Sequence, residues 1–330
     1  MPLRKLLAYA AIYVLWGASF LAIREIVAPP GGQTPIPPFF AAGLRLSLAG
    51  ALLLVWSRFS GPHPLSFRQL LSAFALGFIM FTCDYASLFW AEVRIPSGLT
   101  AVIFAMIPIW VCAGELVLRT QRATPLSLGG LVLGFAGVVV LTLRPGSVAH
   151  AGVHISALAI AVMMAGTLCW AIGTLWSRYL PLPRPHRANA GWQLFSGGLL
   201  LLVLSAAAGE FHRIPQASVL LSGRVVLSMI YLIFAASIVA YIAYIWLLAH
   251  DAPTRIASYA YVNPLFALII GATLAGERLT PLQIAGAALI LLGVFATLMG
   301  KQKAATPSPQ PERSSRTAAV ARRKSLEFRD

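Results

Sequence analysis

The stretch Ala101–Gly137 occurs twice in this chain. At an offset of 156, Ala101, Pro108, Leu118, Arg122, Thr124, Pro125, Leu126, Gly130 and Gly137 meet Ala257, Pro264, Leu274, Arg278, Thr280, Pro281, Leu282, Gly286 and Gly293. The same offset carried backwards pairs Phe78 with Phe234, Tyr85 with Tyr241 and Trp90 with Trp246, without a gap. A match of this length that keeps Pro on Pro and Gly on Gly is an internal duplication, and it constrains the architecture before any element is assigned.

Each copy has to fold in an apolar solvent. Of 330 residues, 58% are hydrophobic and 11% charged, with a mean hydropathy of +0.80; a soluble domain carries about 25% charged residues. This composition belongs to a membrane protein that crosses the bilayer repeatedly. A hydrocarbon core of about 30 Å takes about 20 apolar helical residues. Ten segments meet that length, at roughly 6–27, 38–57, 69–90, 97–118, 126–143, 155–177, 189–208, 224–248, 254–275 and 282–300. The first run is too long for a signal-peptide core and is expected to stay. The expected fold is all-α membrane, with residues 1–145 as one repeat, 146–300 as the second, and 301–330 as a disordered basic tail.

Five helices per copy force the second copy to enter the membrane from the opposite side. The expectation is an inverted 5+5 repeat, whose substrate site lies near the midplane between the halves. Arg4, Lys5, Arg58, Arg68, Arg119, Arg122, Arg178, Arg184, Arg187, Arg255 and the basic tail fall on one side; Arg24, Arg94, Arg144, Arg213, Arg224 and Arg278 fall on the other. Lys and Arg concentrate on the cytoplasmic face, which places both termini inside. The net charge of +15 is then a match to anionic lipid headgroups, not to nucleic acid.

Pro108 and Pro264 lie about 10 residues into the fourth and ninth segments, near mid-bilayer at about 1.5 Å per residue. Each removes a backbone donor and frees a carbonyl four residues earlier, at Phe104 and Ala260. A matched pair of such positions in opposed repeats points to interrupted helices lining a transport cavity. Asn263 adds a polar group at that depth, and Tyr259, Tyr261, Tyr241, Trp16 and Trp170 add mid-membrane rings. Trp16 (in WGASF) and Trp170 (in WAIGT) occupy equivalent places in the two first helices. Mid-membrane Trp and Tyr need partners for N–H and O–H, which a cavity or a packed core can both supply. Trp56, Trp90 and Trp176, near segment ends, fit an interfacial belt.

Arg45 and Asp84 each sit about 7 residues, roughly 10 Å, below the outer surface. Intramembrane charges face the protein interior and pair. Two readings stay open: a structural ion pair, or an Arg45 that anchors a substrate carboxylate beside an Asp84 that balances it or carries a proton. Glu115 is placed near the inner interface, within snorkelling reach. Cys83, Cys112 and Cys169 read as small core residues, and the Gly130/Gly134/Gly137 and Gly286/Gly293/Gly300 stripes as close helix packing. HExxH, GxSxG, P-loop and CxxC motifs are absent from the sequence, so no catalytic residue and no cofactor is assigned.

VLWGASF, LRLSLAGALLL and SYAYVNPLFALIIGATLAGERLTPLQIAGAALILLG resemble EamA-type members of the drug/metabolite transporter superfamily, over about residues 1–300. The matching positions are Trp16, Gly17, Arg45, Pro108, Asn263, Pro264, Glu277 and Arg278; the first copy departs with Gln121 at the Glu277 equivalent, and Asp84 lies outside the motif. The resemblance implies ten helices, alternating access without ATP hydrolysis, and efflux or exchange of amino acids, related metabolites or drug-like compounds. Together these readings give a transporter in the inner membrane whose site is drawn from Trp16, Arg45, Asp84, Phe104, Pro108, Trp170, Tyr241, Tyr259, Asn263 and Pro264. Its partners are a small-molecule substrate and lipid; proton coupling and a homodimer stay open. The alternatives are a nucleotide-sugar or sugar-phosphate exchanger, which would want a cluster of cavity cations, and a membrane-embedded enzyme or a passive channel.

Overall fold

A computed structural model describes residues 3–27, 29, 33–59, 64–92, 103–122, 124–142, 157–274, 281–300 and 303–304. These residues are helical almost throughout. The helices are α1 (Leu3–Val27), α2 (Pro38–Arg58), α3 (Phe67–Ala91), α4 (Ile107–Val117), α5 (Pro125–Thr142), α6 (Ala157–Trp176), α7 (His186–Ala207), α8 (Gly223–Leu248), α9 (Tyr259–Leu274) and α10 (Pro281–Met299). Short helices at Ala217–Leu220 and Pro253–Ala257 precede α8 and α9. Six helices, α1, α2, α3, α6, α7 and α8, are long and apolar enough to cross a membrane, and shorter apolar helices occur within α4, α5 and α10. The chain is a multi-pass membrane protein.

Helix ends in such a solvent need partners for their free backbone groups. Pro38 opens α2, where its missing N–H costs nothing. The Glu210 carboxylate accepts from the Phe39 and Phe40 amides at 3.3 and 2.8 Å. Ser66 and Gln69 form a reciprocal capping box at the start of α3.

Equivalent helices of the duplicated sequence pack on each other. α2 lies along α7, and α5 along α10. A Cβ on Gly43 would meet Leu202 and one on Gly191 would meet Leu54; Gly50 faces Phe195 and Gly198 faces Ser47. Residue numbers rise along α2 as they fall along α7, so the two run antiparallel. In α5 and α10 a Cβ on Gly130 would lie 2.6 Å from the Thr297 nitrogen, and one on Gly137 would lie 2.7 Å from the Ile290 nitrogen, again in opposite senses. Only glycine lets backbones approach this closely, which accounts for the stripes read from the sequence. The same exchange holds elsewhere: α1 packs on α8 and α9, α6 on α3 and α4, α3 on α7, and α8 on α2.

Two helices carry π-helical turns, Gly77–Cys83 in α3 and Tyr231–Val239 in α8. The 156-residue offset carries the first onto 233–239, within the second. A π turn widens the helix and misaligns the backbone ladder, and it recurs at functional sites. The two prolines behave differently from each other. A turn at Ala105–Met106 precedes α4, and Pro108 is the second residue of that helix. The helix containing Pro264 runs through it, and the break falls earlier, at Ser258. The expected tail begins as structure: Lys303–Ala304 pairs antiparallel with Gln121–Arg122. Residues 305–330, the inter-repeat segment around Pro145–His154, and Arg94, Glu277 and Arg278 lie outside the described residues.

Candidate functional site

Aromatic rings occupy the middle of the bundle. Trp16 of α1 meets Trp170 of α6 edge-on, with centroids 5.9 Å apart, Tyr259 at 4.7 Å and Tyr244 at 5.3 Å. Tyr241 stacks on Tyr244 and meets Phe81. The π turn of α8 anchors this cluster, because the Trp16 Nε1 donates to the Ala236 carbonyl at 2.9 Å. Tyr244 shares a 2.5 Å hydrogen bond with Thr174, and the Tyr241 hydroxyl donates to Gln193 Oε1 at 2.5 Å.

A pocket opens beside these rings, lined by Trp16, Ser19, Ile23, Asp84, Tyr85, Leu88, Phe104, Trp170, Tyr259 and Asn263. It brings together six of the residues named from sequence: Trp16, Asp84, Phe104, Trp170, Tyr259 and Asn263. Its free volume is about 30 Å³, room for about two waters, so a larger solute requires the walls to part. Asp84 is 1% exposed and follows the π turn of α3 directly. Among the described residues its Oδ1 has no hydrogen-bond partner, and neither does Asn263 Oδ1. Groups of this kind are bonded in a finished core. Two such acceptor oxygens among the residues lining one pocket describe a place for a ligand.

Arg45 is elsewhere. Its Nε donates to Ser237 Oγ at 2.9 Å, and its guanidinium lies 5.6 Å from the centre of the Tyr85 ring. It lines a separate apolar hollow with Ile23, Ile26, Ala41, Phe89 and Leu232. Among the described residues no ion pair joins Arg45 to Asp84; Tyr85, next in sequence to Asp84, carries the guanidinium instead. Pro108, Pro264 and Tyr241 are buried but do not line the pocket. Glu115 corrects the snorkelling expectation. It is 3% exposed, and the Thr254 hydroxyl donates to its Oε2 in a short bond. Trp56 and Trp176 are half exposed, as interfacial rings are.

Tyr85, Tyr244, Thr174 and Gln193 were not named as site residues from sequence, although the repeat pairs Tyr85 with Tyr241. Gln193 had a findable signal, since GLRLSLAG of α2 aligns with GWQLFSGG of α7 and puts Gln193 opposite Arg45. Tyr85 and Tyr241 are also counterparts. The contacts Arg45–Tyr85 and Gln193–Tyr241 are therefore the same contact made once in each copy, with a cation in the first and a neutral amide in the second.

The end of the bundle bearing the N-terminus is closed by polar links. Asp251 pairs with Lys5 Nζ at 2.5 Å and Arg255 Nη1 at 3.4 Å, and accepts from the Tyr9 hydroxyl at 3.0 Å; Arg255 Nη2 donates to the Gly300 carbonyl at 2.7 Å.

A family model described as the EamA-like transporter family matches residues 4–143 and again 157–299. The inner membrane transporter YedA of Escherichia coli (strain K12) is 30% identical over 91% of this chain and 94% of its own length. A "Probable amino-acid metabolite efflux pump" of Salmonella typhimurium is 27% identical over 88% of this chain and 93% of its own. A solved crystal structure superposes with a TM-score of 0.70 at 18% identity, covering 90% of this chain and 97% of that one, and so shares its fold. Two matched copies on a bundle of apolar helices, and relatives named as transporters, make one conclusion: this chain belongs to the EamA-like transporter family and is a membrane transporter, not an enzyme.

Proposed function

We propose that the chain is a secondary-active transporter of the inner membrane that exports small metabolites by alternating access, within ten helices arranged as an inverted 5+5 repeat. The observation that carries the reading is the pocket itself. Its walls come from both copies of the duplication, Trp16, Asp84 and Phe104 from the first and Trp170, Tyr259 and Asn263 from the second. Among the described residues two acceptor oxygens on it, Asp84 Oδ1 and Asn263 Oδ1, lack partners, and substrate sites of inverted repeats lie where the copies meet. The antiparallel packing of α2 on α7 and α5 on α10 supports the inversion. The named relatives support export from an inner membrane, one being called an inner membrane transporter and one an amino-acid metabolite efflux pump. A nucleotide-sugar or sugar-phosphate exchanger is disfavoured, since no Lys or Arg is among the described lining residues.

In this reading the pocket is near its occluded state, and the Asp251 network holds the N-terminal end shut. The test is counterflow into proteoliposomes with a panel of amino acids, amines and nucleobases. Saturable exchange that falls at least tenfold in Trp170→Ala, with the protein still folded, is expected. Flux linear in concentration would mean a channel and end the proposal.

A further inference from the structure

The pocket's chemistry is one-sided. Among the described lining residues Asp84 is the single carboxyl group, its Oδ1 is unpartnered, and no Lys, Arg or His faces it from the lining. Arg45, the intramembrane cation that could have balanced it, is held away by Ser237 and the Tyr85 ring and lines the other hollow. Asn263 contributes a second acceptor oxygen without a partner. Around these lie Trp16, Tyr85, Phe104, Trp170 and Tyr259. A carboxylate in low dielectric is costly unless it is neutralised or paired. Aromatic faces attract a cation more strongly once water is excluded.

We infer that the pocket selects monovalent organic cations, amines or quaternary ammonium compounds carrying an apolar body, with Asp84 as counter-ion, Asn263 Oδ1 as acceptor for an ammonium N–H, and the rings as a cage. The inference rests on the transporter reading above and narrows its substrate. It also gives a rule for exclusion. A solute with a free carboxylate would set that charge beside Asp84 with no cation to receive it, so an amine is taken where the corresponding amino acid is refused.

The experiment is equilibrium binding of tritiated phenethylammonium to the full chain in nanodiscs, with four competitors. Saturable binding is expected, displaced by benzyltrimethylammonium and at least tenfold less well by phenethyl alcohol, 3-phenylpropionate and phenylalanine. Asp84→Asn should weaken binding at least tenfold while melting no lower than wild type. Asp84→Glu should keep binding within about threefold, which separates lost charge from lost fold. Equal competition by phenylalanine or phenethyl alcohol, or an Asp84→Asn affinity within twofold of wild type, would overturn the cation assignment. The site would then still stand, provided Trp170→Ala abolished the binding of whichever ligand competed. Absence of saturable cation binding would overturn the assignment as well, and the proteoliposome counterflow would decide transport separately.

Discussion

Single residues here do different work from what their depth alone suggests. Arg45 and Asp84 look like a pair because two charges at one depth in an apolar medium ought to find each other. The structure gives each a different environment, so their energies should be nearly independent. In a double-mutant cycle with Arg45→Met and Asp84→Asn, the melting free energies should add to within about 0.5 kcal/mol. A coupling well above 1 kcal/mol would show a direct pair. Glu115 and Thr254 are the opposite case, a buried carboxylate and a hydroxyl joined across α4 and the short helix Pro253–Ala257. Thr254→Val leaves that carboxylate without its donor and should cost about 1–3 kcal/mol, read as a lowered melting temperature. Glu115→Gln, which keeps an acceptor, should cost less. Sequence could place Glu115 only by its distance along a helix, and the face it presents was set by a contact 139 residues away.

At the scale of the element, the helices themselves were legible, because about 20 consecutive apolar residues leave few alternatives in a membrane. The ten segments read from hydropathy overlie the described helices to within a few residues at most ends. The interruptions were less legible. Proline marks a missing donor, but whether a helix breaks there depends on its neighbours. Pro108 stands in the first turn of α4, where no bond is lost, so Pro108→Ala should leave stability and counterflow within twofold. Pro264 lies inside its helix, and Pro264→Ala restores a bond to Ala260. The prediction is a raised melting temperature with counterflow reduced at least fivefold, because the stiffened wall adjoins Asn263 and Tyr259; unaltered transport would count against any role for the missing backbone bond. The π turns of α3 and α8 left no mark in composition. The glycine seams give a clean pair of variants. Gly50→Leu forces a side chain into the Phe195 backbone and should abolish folded protein, since overpacking even by less costs about 1–3 kcal/mol. Gly129, with nothing within 4 Å of its Cβ position, should accept Ala and gain up to about 1 kcal/mol.

For the whole molecule, arithmetic supplies the proposed arrangement of the two copies, since an odd number of membrane-crossing helices per copy can only invert. The pocket was accessible in part: depth and residue type named six of its walls. Tyr85 and Leu88 were passed over because ring and aliphatic residues are too common in such helices to stand out before their neighbours are known. Topology is the test at this scale. Single cysteines at Gln33 and Ser308 should label from opposite faces of the membrane, and labelling from one face would remove the inversion altogether. The duplication also has a bearing on the resting state. Two identical halves that trade conformations would make the inward and outward states equal in energy, and the protein would idle evenly between them. Here the first copy carries Arg45 and Asp84 where the second has Gln193 and Ala240, so the exchange is no longer between equals. Each 1.4 kcal/mol of that inequality tilts the idle population tenfold, so under the proposed alternating access a carrier with no cargo aboard waits preferentially at one side of the membrane.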